Sequence, residues 1–214
     1  MAFSIAQLED IAEVDGSQCP FRPVRQHFGI QTFGINAMTA RTDGDRLIAE
    51  HEETEPESGE ELYVVISGDA WFELDGETRD ARAGTFVHVP PGVKRTAFAR
   101  TAGTTVLSIG AGPADQPYRP NGWELFAPLY PLFDSGEYEL GADRAQALLV
   151  GDPPYSGVYY NTACFESLAG RIDDALGHLR RAIELLPALA ELARDDDDFD
   201  ALRGSPTFAE IVGS

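Results

Sequence analysis

Apolar residues fall into two rhythms along this chain. From Arg22 to about Gly112 they come in short alternating runs cut by turn residues, the pattern of a sheet protein. Strands are expected over 28–36, 46–50, 61–66, 70–74, 84–89, 94–99 and 104–109. Asp75-Gly76 reads as a hairpin turn, because both residues tolerate the positive φ of a tight connection, and Pro90-Pro91-Gly92 as a second turn. Strands this short and closely spaced suit a small double-sheet barrel.

Beyond residues 113–122, rich in Gly and Pro, the rhythm becomes helical. Ala175, Leu176, Leu179, Ala182, Ile183 and Leu186 form one apolar face. Gly136 and Gly170 lie 170−136=34 positions apart, as do Pro153 and Pro187, and Ala145/Leu179, Leu148/Ala182 and Leu149/Ile183 keep that offset. With Trp123 and Tyr130 early in the first copy, this resembles the tetratricopeptide repeat, which implies stacked helix pairs. Two copies cannot bury a solenoid core alone, so they are expected to pack on each other, on the barrel or on another subunit. Phe199, Leu202, Phe208 and Ile211 suggest a partial third unit or cap. The expected class is a two-domain α+β chain: an all-β double-sheet barrel over 1–112, a linker over 113–122 and all-α helical hairpins with a cap over 123–214.

Charge narrows the partners. The net charge of −20 over 214 residues argues against nucleic acid and anionic membranes. No apolar run approaches the ~20 residues of a membrane span, and the first ten residues lack a basic start before an apolar stretch. Cys19 and Cys164 fall in different expected domains, so a disulfide between them is not expected and a reducing, cytoplasmic setting is.

The chemistry concentrates in two segments of the sheet half: Glu61-Leu-Tyr-Val-Val-Ile-Ser-Gly68 and Gly84-Thr-Phe-Val-His-Val-Pro90-Pro-Gly92-Val-Lys-Arg95. Together they resemble the two motifs of the cupin family, G-x5-H-x-H-x3–4-E-x6-G and G-x5-P-x-G-x2-H-x3-N. The resemblance implies a jelly-roll barrel in which three histidines and the glutamate hold a divalent metal. Glu61, Gly68, Gly84, Pro90 and Gly92 fall on pattern, but the closing histidine of the second motif is Arg95. A guanidinium carries a permanent charge and offers no lone pair, so it cannot ligate a cation.

The first motif admits two registers. Short spacing places Glu55 and Glu57 at the paired histidine positions; a longer loop places His51 and Glu53 there, with 54–60 inserted, and this second register is preferred because it puts a histidine at the mouth of a strand. His51, Glu53, Glu61 and Arg95 then converge. His51, Glu53 and Glu61 could hold iron, manganese or zinc, although Arg95 would repel a dication. No cofactor is the favoured expectation, with Arg95 replacing the metal's charge beside Glu61. Alternatively Arg95 grips a carboxylate, phosphate or enolate. Tyr63 shares the strand face of Glu61, and Phe98 is placed with His51, Glu61, Tyr63 and Arg95 in the ligand pocket. The aromatics Tyr63, Trp71, Phe86 and Phe98 are otherwise expected to fill the barrel core.

Three readings follow. The favoured one is a module that binds or senses a small anionic molecule in the barrel, with the helical repeats as a surface for a protein partner or a second copy in a homodimer. Another is a cupin-type enzyme, metal-assisted or acid–base, with Glu53, Glu61 and Arg95 as candidate catalytic residues. In the acid–base variant a raised pKa makes Glu53 or Glu61 the base and Arg95 stabilises an enolate. The third is a scaffold with an inert barrel. His88 is read as core or surface, His178 as exposed, and Asp195–Asp198 as a solvated turn or helix N-terminus without calcium-loop spacing.

Overall fold

The computed structural model describes residues 3–15, 19–52, 59–111, 120 and 122–213. It divides into two compact units, Met1–Arg119 and Pro120–Ser214. Most of the expected linker at 113–122 lies outside the described residues.

The first unit is a β-sandwich of two antiparallel sheets. Its elements run β1 (Phe21–Arg22), α1 (Val24–Phe28), β2 (Gly34–Thr39), β3 (Arg46–His51), β4 (Glu61–Ser67), β5 (Asp69–Leu74), β6 (Glu77–Arg82), β7 (Phe86–Val89), β8 (Arg95–Ala99) and β9 (Thr105–Gly110). One sheet has the order β1-β2-β9-β4-β7 and the other β3-β8-β5-β6. Strict alternation fixes the inner faces: Val65, Phe72, Ala97, Ala99 and Val106 are completely buried between the sheets. Each large apolar side chain buried there contributes about 1.5–3 kcal/mol.

The turns follow their residue chemistry. Asp75 (φ +49°) and Gly76 (φ +82°) are both left-handed, and they join Leu74 to its register partner Glu77 in a two-residue hairpin. Gly68 (φ +69°) closes β4 onto β5, where any Cβ would stand 2.4 Å from Thr104 Oγ1. That hydroxyl accepts from the Asp69 amide (3.2 Å) and donates to the Thr101 carbonyl (2.7 Å).

Several expectations need correction. The strand expected over 28–36 begins only at Gly34, because α1 occupies Val24–Phe28 and ends on left-handed Gly29. Strand β6 was not foreseen: only Ala81 of its six residues is buried, so it shows no apolar alternation. Of the aromatics expected as barrel filler, Tyr63 is internal and packs on Phe72 at 5.6 Å. Trp71 and Phe98 instead stack on the outer face of the second sheet at 5.0 Å, with Arg100 over Trp71 and Arg46 over Phe98. Phe86, on an edge strand, is 67% exposed.

The second unit is helical: α2 (Gly122–Phe126), α3 (Tyr130–Asp134), α4 (Tyr138–Leu148), α5 (Ser156–Leu168), α6 (Ile172–Leu185), α7 (Leu189–Asp195) and α8 (Pro206–Val212). Helix α5 is its centre, buried from Val158 through Ser167 apart from Asn161. Gly141 lets α4 press against it, since a Cβ there would lie 2.1 Å from the Phe165 ring. No helix among the described residues is long and apolar enough to cross a membrane.

Candidate functional site

Register brings the candidate residues together. His51 lies directly opposite Arg95 across β3 and β8, so their side chains share the inner face of one sheet. Glu61 and Tyr63 alternate inward from β4 on the facing sheet. The result is one carboxylate ringed by donors. Arg95 Nε donates to Glu61 Oε2 at 2.9 Å, the Tyr63 hydroxyl donates to the same oxygen, and His51 Nε2 stands 3.4 Å from it.

The protonation states follow from the partners. His51 Nδ1 lies 2.8 Å from the Ala49 carbonyl, which only accepts, so Nδ1 carries a proton. Nε2 faces an ionised carboxylate. Burial disfavours the imidazolium, but the bonds to Glu61 and Ala49 outweigh it and raise the pKa of His51. Burial likewise opposes ionisation of Glu61, yet His51, Tyr63 and the charge of Arg95 hold its pKa below the usual range. Burial and the Glu61 charge push the Tyr63 phenol up, so it stays a donor.

Arg95 is 0% exposed. Its Nη1 donates to the Val93 carbonyl at 2.9 Å. Nη2 is 2.9 Å from Glu61 Oε2, close enough for charge attraction, but its N–H bonds do not point along that line. Nη2 is therefore a buried donor without a hydrogen-bond partner among the described residues. When His51 is protonated, two cations face one carboxylate among the described residues.

Residues 48–109 match the Cupin domain family. The matched segment runs from within β3 to within β9 of the sandwich. Similar solved structures include a cupin protein from Bacteroides fragilis (20% identity, TM-score 0.41, covering 54% of this chain and 86% of that one). KdgF from a Halomonas species aligns at 15% identity and TM-score 0.42 over 53% and 97% of the two chains. A sugar phosphate isomerase of the cupin superfamily from Silicibacter pomeroyi aligns at 20% and 0.45 over 50% and 75%. No curated protein matches the chain.

The expected metal ligands of the cupin domain do not fit a dication. Glu61 Oε2, the atom that would ligate, already accepts from a guanidinium and a phenol, and the fixed charge of Arg95 beside it repels a dication. Glu53, Glu55 and Glu57 lie outside the described residues. Phe98 does not join the site: three positions from Arg95, it has the opposite strand parity and faces outward. The raised pKa expected of Glu61 as a base is not found: His51, Tyr63 and Arg95 hold it lowered despite burial.

Among the remaining residues, His178 departs from its exposed reading, whereas His88 and the acidic run agree with theirs. His178 is half-buried, its Nδ1 2.7 Å from Glu166, a fully buried carboxylate that also accepts from Gln146 at 2.8 Å. His88 is exposed near Glu60. Asp196 caps the short 3₁₀ turn Asp197–Leu202 and accepts from Tyr160 at 2.7 Å. Sulfur and carboxylate oxygens of Cys164, Asp196 and Asp198 lie within 4.8 Å of one another. Burial and neighbouring acids raise the pKa of both Cys164 and Asp198, which share a side-chain hydrogen bond.

Proposed function

We propose that the cupin domain binds a small organic anion at Arg95 and His51, as a binding or sensing module. The observation that supports this most is the meeting of a fully buried guanidinium and an imidazole at one carboxylate, with a buried Arg95 N–H that has no hydrogen-bond partner among the described residues. His51 and Glu61, 35% and 16% exposed in their side chains, form the way in. An arriving carboxylate or phosphate accepts from Nη2.

The helical unit supplies a partner surface built of repeated helix pairs. Its helix starts support the period seen in the sequence: α2 to α5 is 156−122=34, α4 to α6 is 172−138=34 and α6 to α8 is 206−172=34. Gly136 (φ +73°) and Gly170 (φ +77°) occupy the same turn in successive pairs. Light scattering of the intact protein tests whether a second copy is that partner.

Calorimetric titration with hexanoate and with inorganic phosphate tests the anion seat. Wild type binds at least one of them, and Arg95→Leu, folded by circular dichroism, binds it at least about tenfold more weakly. Equal affinity in the variant contradicts the proposal.

A further inference from the structure

The four consecutive aspartates of the helical unit are not turned the same way. Asp195 and Asp197 are exposed, whereas Asp196 and Asp198 are partly buried beside Cys164 of α5, itself 4% exposed. Capping explains only part of this arrangement. Asp196 Oδ1 accepts from the Asp198 amide at 3.1 Å and its Oδ2 from the Tyr160 hydroxyl at 2.7 Å. Neither bond requires a second carboxylate next to a buried thiol, and each oxygen keeps a lone pair.

Two further observations point to a cation. Neither Asp196 nor Asp198 forms an ion pair among the described residues: Arg203 donates to the Asp200 carboxylate and to the carbonyls of Arg194 and Asp196, and Arg194 donates to the carbonyls of Val212 and Gly213. Independently, Ser167 is 3% exposed and its Oγ has no hydrogen-bond partner among the described residues. Three positions beyond Cys164, it shares that face of α5, and because helical side chains lean toward the N-terminus its hydroxyl leans toward the thiol. A buried hydroxyl left in that state costs stability. The surrounding frame is firm, since Phe199 and Leu202 are 0% exposed and Phe199 packs edge-on against Tyr160 at 5.4 Å.

We propose that Cys164, Asp196 and Asp198 bind a zinc ion, through the thiolate and one oxygen of each carboxylate, and that the ion pins the segment after α7 to α5. Bonds of about 2.0–2.3 Å to a tetrahedral ion set ligand atoms roughly 3.3–3.8 Å apart. The observed separations, none above 4.8 Å, reach that by small side-chain movements. Sulfur with two oxygens suits zinc, whereas magnesium and calcium take oxygen ligands alone. On binding, the thiol proton passes to solvent. A water completes the four ligands, and the Ser167 hydroxyl accepts from it on the buried side. This site lies in the helical unit and is independent of the anion seat.

The test titrates the chelator-treated full chain with cobalt(II), a coloured stand-in for zinc. One equivalent produces the near-ultraviolet charge-transfer absorption of a thiolate bound to cobalt, and added zinc removes it. The chain has two cysteines, so Cys164→Ser abolishes the band and Cys19→Ser keeps it. Cobalt held by His51 and Glu61 gives no such band, which separates the two units. Asp198→Asn, folded by circular dichroism without metal, binds zinc about tenfold or more weakly. Zinc at a hundredfold excess over its Kd raises melting of the helical unit, read from Trp123 in a Trp71→Phe background, by about 5 °C or more, and does not do so in Cys164→Ser. A wild type without the band, a band that survives Cys164→Ser, or zinc affinity unchanged in Asp198→Asn overturns the proposal.

Discussion

Replacing Glu61 by Leu tests the electrostatic account where it is most exposed to failure. The substitution leaves Arg95, 0% exposed, without the one carboxylate it pairs with among the described residues, beside His51. Breaking a buried pair in this way costs about 3–5 kcal/mol, and the 16% exposure of Glu61 points to the lower end. In a domain of this size that is a fall in Tm on the order of 10 °C. Arg95→Leu costs less, because Glu61 keeps His51 and Tyr63 as partners. The double variant removes both charges and returns to within about 2 kcal/mol of wild type. Trp71 fluorescence in a Trp123→Phe background follows the sandwich alone, since the two tryptophans lie in different units. Added acetate should partly restore Glu61→Ala by supplying a carboxylate to Arg95. A loss below about 1 kcal/mol in Glu61→Leu, or a double variant no more stable than it, would refute the reasoning.

The helical unit gives three further expectations. His178 has its pKa raised by the bond to buried Glu166, although burial works against the imidazolium, with Asp174 adding to the rise. Its stabilisation is complete below the unfolded value near 6.5 and is lost as pH rises through the higher folded value, so melting of this unit, read from Trp123, falls across that range in wild type more than in His178→Gln. Gly141→Ala forces the Phe165 ring aside and costs about 1–3 kcal/mol in urea denaturation, a loss that Phe165→Leu in the same chain partly relieves. Cys164, buried and held protonated, reacts with iodoacetamide only in step with unfolding; rapid alkylation of the native protein would contradict that environment.

The two-part architecture was legible because its signals are local. Turn chemistry at Asp75-Gly76 and strand alternation through Glu61 and Tyr63 need no tertiary information. Arg95 and Glu61 were found because motif spacing places them, and the structure joins them. Phe98 was misplaced although parity separates it from Arg95: residues three apart on a strand face opposite ways, and its aromatic character masked that count. Strand β6 left no trace because one edge strand in contact with solvent needs no apolar alternation. The pairing of His51 with Arg95 was invisible for another reason: it lies in cross-strand register between segments distant in sequence.

The central claim is that a guanidinium and an imidazolium form an anion seat where the related motif would hold a metal. A crystal structure of the intact protein soaked in selenate, whose selenium marks its place by anomalous scattering, tests it most directly. The account predicts a selenium peak within hydrogen-bonding reach of Arg95 Nη2 and His51. Iron, zinc or manganese bound by His51 and Glu61, with the guanidinium turned away, would contradict it.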